Sequence, residues 1–473
     1  MKEPSWKLGA AALSAAYRAG RTDPVTVAEG LTARIASLNP KLNAYVALAD
    51  DFSEQAAASR LRWSAGQPLS PLDGVPVAVK DNLHVMGLPT TWGSRALDGP
   101  AMADELPVAR LRAAGALLVG KTNTPEFAVE GYTSNARFGT TRNPWDPALT
   151  PGGSSGGSVA AVAAGLACIA IGTDGGGSTR RPAGHTGLYG LKPSIGRIAR
   201  GGGLPQILMD FEVIGAFARE LADLTPLYRV LAGPDRGDPA SRSLPEAPTT
   251  RQGLRILSVP LLDAHPCDPQ ILAAHRALVG RLQDLGHHVT EGALPLDLTE
   301  IDAFWGRFAQ IGLAQIAATL PGMQTKAAPQ YLAMAEAGSG VPAVELFAAL
   351  QAVQRLRTDC SRLFGDWDVI VMPCAAAQPW PADQGHPEKI AGQPVGPRGH
   401  AIYTGWVNAA GHPALAVPAG RDAAGLPIGC QLIGDMGAEN QLLDLAATLA
   451  TTEKRTWNWP AFALSSARSA EVQ

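Results

Sequence analysis

Two glycine- and serine-rich stretches lie close together in the first half of the chain: 150–158 reads TPGGSSGGS and 172–182 reads GTDGGGSTRRP. Glycine gathers where backbone must approach a ligand closely or take conformations that other residues refuse, and successive N–H groups in such a loop can converge on an anion. Ser178 closes the second loop. A hydroxyl beside converging N–H donors meets two needs of acyl transfer, a nucleophile and a hole for the charge that develops on the carbonyl oxygen. Tight turns would use the same residues, so the clusters alone leave both readings open.

A serine hydroxyl attacks at neutral pH only when a base takes its proton. None of the nine histidines stands in a recognisable triad context, and His185, in RPAGHTG, reads as a structural side chain. Lys80 is better placed. It ends the apolar run GVPVAVK and precedes Asp81 and Asn82, so a strand would carry it from buried sheet to loop edge. To act as a base its pKa must fall from about 10.4 to about 7–8, a shift of roughly 4 kcal/mol that only a desolvated site supplies. A solvated or ion-paired lysine is the competing reading of this spacing.

The elements that must position these groups are legible in outline. From Pro24, Val27, Leu31, Ile35 and Leu38 fall at helical spacing, and Asn39-Pro40 marks the expected stop. The runs VPVAV (75–79) and LLVG (117–120) read as strands, with LPVARLRAAGA as a helix between them. The most apolar stretch, 159–172, is shorter than the roughly 18 residues of a membrane span and reads as a buried helix running into a strand. Strand signals return in RILSVP, DVIVMP and PALAVP, separated by helical stretches around 272–285 and 344–363. This alternation predicts an α/β sandwich with much parallel sheet. The Pro/Gly-rich segment 379–399 is a long loop, either idle or a wall of a pocket.

With 46% apolar residues, a formal charge of −3 and no Lys/Arg-rich block, the chain lacks the footprint of a nucleic-acid or membrane binder. A small, neutral or weakly polar ligand is expected. The five scattered cysteines form no CxxC pair and read as buried thiols, and Glu3 and Pro4 interrupt any signal-peptide pattern, so the expected location is the cytoplasm. Two formal motifs fail on context. GALLVGKT (115–122) matches the phosphate-loop pattern, but its middle residues read as strand and Pro125 stands where a helix should begin. GGSSG matches the nucleophile elbow, but the NPWDPALTP before it is no strand.

The segments LDGVPVAVKDN, VARLRAAGALLVGKTNTPEFA, RNPWDPALTPGGSSGGSVAAVAAG and GTDGGGSTRRPAGHTGLYGLKPS, in this order, resemble the amidase signature family. The resemblance returns in DVIVMP, NAAGHPALAVPAG and GLPIGCQLIG, and so covers nearly the whole chain. It implies one α/β/α domain over 1–473 around a large mixed sheet. Within it would lie an N-terminal helical segment at about 1–65, a signature core at about 66–232, a variable substrate-side region at about 290–400, and a C-terminal return to the sheet at 400–460. It also implies a Ser–cisSer–Lys triad: Lys80 as base, Ser154 as bridging serine behind a cis Gly153–Ser154 bond, and Ser178 as nucleophile. The N–H groups of Gly175, Gly176, Gly177 and Ser178 would form the oxyanion hole, Asp174 and Arg180 would support that loop, and Ala128 and Ser155 would line the substrate pocket. No metal or organic cofactor is called for.

The implied activity is hydrolysis of a small-molecule carboxamide, anilide or carbamate (urethane) through an acyl-enzyme, with esterase side activity, by a monomer or homodimer. The alternative is the glutaminase subunit of a tRNA-dependent amidotransferase, which would release ammonia for a partner. This chain departs from the family pattern at Thr179, Arg181, Glu212 and Ala216. Arg181 and the loop 201–211 stand where they could reshape the pocket.

Overall fold

Short β-branched runs such as 75–79, 117–120 and 369–373 form strands, as their patterning predicts. Of the 473 residues, the computed structural model describes 4–247, 249, 252–452 and 456–465. One mixed sheet takes in β1 (Tyr45–Leu48), β2 (Pro76–Lys80), β3 (Leu117–Thr122), β4 (Ile169–Asp174), β5 (Tyr189–Lys192) and β6 (Val213–Ala218). It continues with β7 (Arg255–Ser258), β8 (His288–Glu291), β9 (Val369–Pro373), β10 (Ala414–Arg421) and β11 (Pro427–Gly434). The 11 strands stand in the order β1-β3-β2-β4-β6-β5-β10-β11-β9-β7-β8. Helices flank the sheet, which is the expected α/β sandwich. The phosphate-loop look-alike is strand β3, buried throughout.

The register positions the chemistry. β2 and β4 run parallel, with Val77 beside Ile169 and Val79 beside Ile171, so Lys80 and Asp174 both emerge at carboxyl ends on one edge of the sheet. Ligands in open α/β sheets bind at such an edge. The helix Gly156–Ala163 lies between the two serine clusters and is wholly buried before the chain enters β4, as the apolar run 159–172 predicts.

Two expectations in the N-terminal segment are corrected. The helix from Pro24 does not stop at Asn39-Pro40 but runs to Leu42 and ends at Asn43, which takes a left-handed φ of 52°. Proline in the last turn removes a single donor, and the Asn39 side chain compensates by accepting from the N–H groups of Ala44 and Tyr45 at 2.9 and 2.8 Å. The segment is also not all helix, because Tyr45–Leu48 forms the edge strand β1, antiparallel to β3.

The region 290–400 carries the helices Thr299–Thr319, Met323–Lys326, Pro329–Ser339 and Ala343–Asp366. The first three build a second apolar cluster in which Leu313, Ile316 and Tyr331 pack with Trp92, Phe127 and Ile207, while the fourth packs Val353, Leu356 and Leu363 into the larger core. The segment 379–399 is not idle. It contains the small hairpin Lys389–Ile390/Gln393–Pro394, and its end brings Pro397 and Arg398 to a cavity that Thr173 and Gly175 also line, at the carboxyl end of β4. All five cysteines are buried and unpaired. No helix among the described residues is long and apolar enough to cross a membrane.

One close approach holds the short helix Arg180–Thr186 to the sheet. A Cβ on Gly429 of β11 would stand 2.4 Å from the Gly184 Cα, so backbone packs directly on backbone. Gly429→Ala should therefore lower unfolding free energy by about 1–3 kcal/mol through overpacking. Gly280→Ala, in the helix Pro269–Asp284 with nothing within 4 Å of the added methyl, should raise it by up to about 1 kcal/mol. Paired denaturant titrations check the opposite signs.

Candidate active site

Lys80 ends β2 with its side chain fully buried. Its Nζ lies 2.7 Å from Ser154 Oγ and 3.0 Å from Thr173 Oγ1, and it forms no ion pair with a described residue. Burial drives its pKa down to about 7, against the more distant pull of the Glu212 and Asp174 charges and with help from Arg200. Two other buried lysines set this in context. Lys121 pairs with Asp81 at 3.3 Å. Lys192 is also pushed to about 7 by burial, but its Nζ donates to the Pro193 carbonyl and the residue does not line the cavity at the end of β4. Depressed basicity is thus a general result of burial here; Lys121 also donates to a hydroxyl, that of Thr90 at 2.9 Å, and what distinguishes Lys80 is that it has no ion pair with a described residue and that its partner Ser154 lines the cavity.

The Gly153–Ser154 peptide bond is cis. Ser154 and Ser178 line the same cavity, of about 270 Å³, together with Thr173, Gly175 and Gly176. Ser178 Oγ makes no hydrogen bond with another described residue, and the residue retains 7% exposure. Ser155, expected in the pocket, is outside it. It is fully buried, and its hydroxyl is turned to the sheet, donating to the Thr173 carbonyl at 3.2 Å.

The loop between Asp174 and Ser178 hangs from a buried carboxylate. Asp174 accepts from the Gly177 and Thr179 N–H groups at 2.6 and 3.0 Å, from Arg180 Nε and Nη2 at 3.1 Å each, and from Asn408 Nδ2 at 3.0 Å. Burial alone would raise this carboxyl. The Arg180 charge, with hydrogen bonds from Arg180 and Asn408, holds it well below the usual carboxylate range. Gly177 thereby leaves the expected set of oxyanion donors, since its N–H is already given to Asp174. It still has to be glycine: φ is +112°, and a Cβ would meet Thr404 Oγ1 at 2.2 Å. The N–H groups of Gly175, Gly176 and Ser178 meet no acceptor among the described residues. The Gly176 carbonyl is fixed from behind by Thr404 Oγ1 at 2.8 Å and by Arg181 Nη1.

Several residues of this site carry no local mark in the sequence. Asn408, in the buried helix Gly405–Ala410, donates to the Asp174 carbonyl at 2.8 Å and to the Phe211 carbonyl at 3.0 Å. Gln431 on β11 accepts from Arg180 Nη1 at 2.9 Å. Both are polar residues inside otherwise apolar buried elements, which is the one signal that could have marked them. His400 lines the cavity with both ring nitrogens buried and unpartnered among the described residues, and burial holds it well below its ordinary pKa. His185 Nε2 lies 3.2 Å from the Ala377 carbonyl, which accepts from it, and the ring is depressed by burial to about 4 and stands outside the cavity. Ala128 does line it, beside Phe127, Ile207, Leu208, Trp305 and Met334. Glu212 also lines it, held at 3.0 Å by Arg200, which in turn pairs with Glu105 at 3.0 Å.

A family model described as amidase matches residues 26–443. The chain belongs to the amidase signature family. Among curated relatives of this amidase, a glutamyl-tRNA(Gln) amidotransferase subunit from Symbiobacterium thermophilum is 36% identical over 477 residues, covering 93% of this chain and 95% of its own. Among solved structures, a bacterial aryl acylamidase of the same family superposes with a TM-score of 0.88 at 28% identity, covering 98% of each chain. A 6-aminohexanoate cyclic dimer hydrolase, bound to its substrate, gives 0.86 at 27% identity over 98% of this chain and 100% of its own. The chain is accordingly an enzyme of a family whose hydrolases act on amide C–N bonds.

Removing one partner of a buried ion pair strands the other. Arg180→Met should therefore cost about 3–5 kcal/mol of stability at neutral pH, and adding Asp174→Asn should restore part of it. A double-mutant cycle in denaturant measures the coupling.

Proposed function

We propose that this amidase cleaves its C–N bond by acyl transfer, with Ser178 as nucleophile, Ser154 as bridge and Lys80 as base. The observation that carries this reading is Lys80: a fully buried amine with no ion pair among the described residues, brought to about 7 by burial, 2.7 Å from a serine hydroxyl that shares its cavity with Ser178. Neutral Lys80 takes the Ser154 proton as Ser154 takes that of Ser178, whose oxygen attacks the carbonyl carbon. The N–H groups of Gly175, Gly176 and Ser178 receive the oxyanion, and each such donor is worth about 2.7–4 kcal/mol of barrier. The relay then returns the proton to the leaving nitrogen, the C–N bond breaks, and water releases the acyl group by the reverse path. Asp174 and Arg180 act by holding the loop.

Two substrate readings share this chemistry. The sequence relatives favour glutamine, since the glutamyl-tRNA(Gln) amidotransferase chain is matched along nearly its whole length. Under that reading the chain supplies ammonia within an assembly that serves a tRNA. The cavity favours a free-standing amidase for a small carboxamide, anilide or carbamate with some ester cleavage, since Ala128, Phe127, Trp305 and Met334 give it an apolar wall suited to a hydrocarbon or aryl group. That enzyme would work in the cytoplasm, as a monomer or homodimer, without a nucleic-acid partner.

Purified protein should hydrolyse an anilide or primary amide other than glutamine, and Ser178→Ala should lower the rate by roughly 10³-fold or more. Turnover of glutamine alone would decide for the amidotransferase reading, and full activity in Ser178→Ala would remove Ser178 from its role.

The base must be deprotonated, so kcat/KM should rise with pH through about 7, the value to which burial brings Lys80. The Glu212 charge raises the Lys80 pKa, so Glu212→Gln should move this acid limb to lower pH. A pH–rate profile of both proteins reads the shift.

A further inference from the structure

Arg181 is a departure that the chemistry above does not use. Its side chain lines the cavity, three residues beyond Ser178, and the residue is only 6% exposed. Nη1 is engaged by the Gly176 carbonyl and, at 3.0 Å, by Thr404 Oγ1. The opposite edge of the guanidinium is free: Nε is buried without a partner, and Nη2 makes no hydrogen bond with a described residue. That Nε–Nη2 edge is a planar two-donor fork matched to a carboxylate. This molecule uses the same edge elsewhere, Arg62 taking Asp73 at 2.7 Å through each nitrogen and Arg180 taking Asp174 at 3.1 Å through each. Arg181 has no such carboxylate. Burial, with the Arg398 and Arg180 charges and against that of Asp174, lowers it to about 9, so it is still a cation at neutral pH.

A second guanidinium stands at the rim. Arg398 lines the cavity from its exposed side, 5.2 Å from the Trp305 ring centroid, and forms no ion pair with a described residue. Of the two carboxylates lining the cavity, Glu212 is engaged by Arg200, and Glu130, whose carboxyl is raised by burial, forms no ion pair with a described residue. Asp174, whose charge reaches Arg181, is already engaged by Arg180, and Asp302 acts on Arg398 without a salt bridge, so neither guanidinium has an ion pair among the described residues. A buried cation without a counter-ion is costly, and a ligand that brings the counter-ion recovers that cost on binding.

Resting on the acyl-transfer reading, we infer that the amide substrate carries an anionic carboxylate, gripped by the Nε–Nη2 edge of Arg181 and drawn in by Arg398. Such a substrate is a monoamide of a dicarboxylic acid or a similarly charged amide, its hydrocarbon part lying on the apolar wall and its carboxylate on Arg181.

The test compares monoamides of butanedioic and pentanedioic acids with butanamide and pentanamide. It uses wild type, Arg181→Gln and Arg398→Gln, and the readout is the ratio of kcat/KM for charged over neutral substrate. A ratio is used because any loosening of the Gly176 loop slows both substrates alike. Wild type should favour the charged amide by about 100-fold, and Arg181→Gln should cut that ratio by roughly 10- to 100-fold, mainly through KM. Arg398→Gln, at the exposed rim, should cut it less and should lower the salt dependence of kcat/KM. A wild-type ratio near one, or a ratio unmoved by Arg181→Gln in folded protein, overturns the inference. If wild type cleaves none of the four amides, the free-standing amidase reading falls, and pentanedioate binding to Ser178→Ala by calorimetry decides the anion site separately. Binding that is lost on adding Arg181→Gln upholds it, and no binding overturns it.

Discussion

A carboxylate with no water to solvate it organises this molecule. Asp174 is fully buried at the end of β4, and a charge in that position survives only if donors surround it. Those donors come from the loop after it, from the helix Arg180–Thr186 and from Asn408. Arg180 extends the network to the Thr404 carbonyl at 3.0 Å and to Gln431 on β11. Each donor satisfied at Asp174 is also a segment fixed in place. The path of the glycine loop, and with it the direction of its remaining N–H groups, follows from the solvation of one anion.

Lys80 shows the opposite answer to burial. Asp174 is kept charged by partners, whereas Lys80 is given hydroxyls and no anion, so its charge is disfavoured and its proton becomes mobile near neutral pH. The parallel pairing of β2 with β4 sets these two solutions side by side on one sheet edge. A pairing slip of one residue would turn every side chain of β2 to the other face, so the apolar register of Val77 and Val79 also aims the amine.

How much of this the residues declare depends on range. Lys80 at the end of an apolar run and the glycine–serine clusters are local patterns, and local patterns translate into strand ends and tight loops. The mixed sheet is legible for the same reason, because its strands are short, β-branched and bounded by turn residues. What sequence does not display is partnership across the chain. Gln431 and Asn408 lie 251 and 234 residues from their partners Arg180 and Asp174, and nothing in GLPIGCQLIG or GWVNAA names that destination. Ser155 and Gly177 fail for a subtler reason: each is in the right cluster, but a hydrogen bond of its own, to the Thr173 carbonyl or from the backbone to Asp174, takes it out of the cavity's service. Pro40 and β1 show tertiary context overriding local signals, an asparagine side chain tolerating the proline and an open strand edge recruiting Tyr45–Leu48.

The span of the Asp174 network also bears on how the protein is made. Lys80, Ser154 and Ser178 all precede the midpoint of the chain, while Thr404, Asn408 and Gln431 come near its end. Gly429, against which the helix Arg180–Thr186 seats its backbone, belongs to the same late segment. On the ribosome, Asp174 can take its bonds from Gly177, Thr179 and Arg180 at once, but it must wait 234 residues for Asn408, and Arg180 must wait 251 for Gln431. The anchorage that ties the loop to the rest of the sheet therefore closes only once the helix Gly405–Ala410 and β11 have been made.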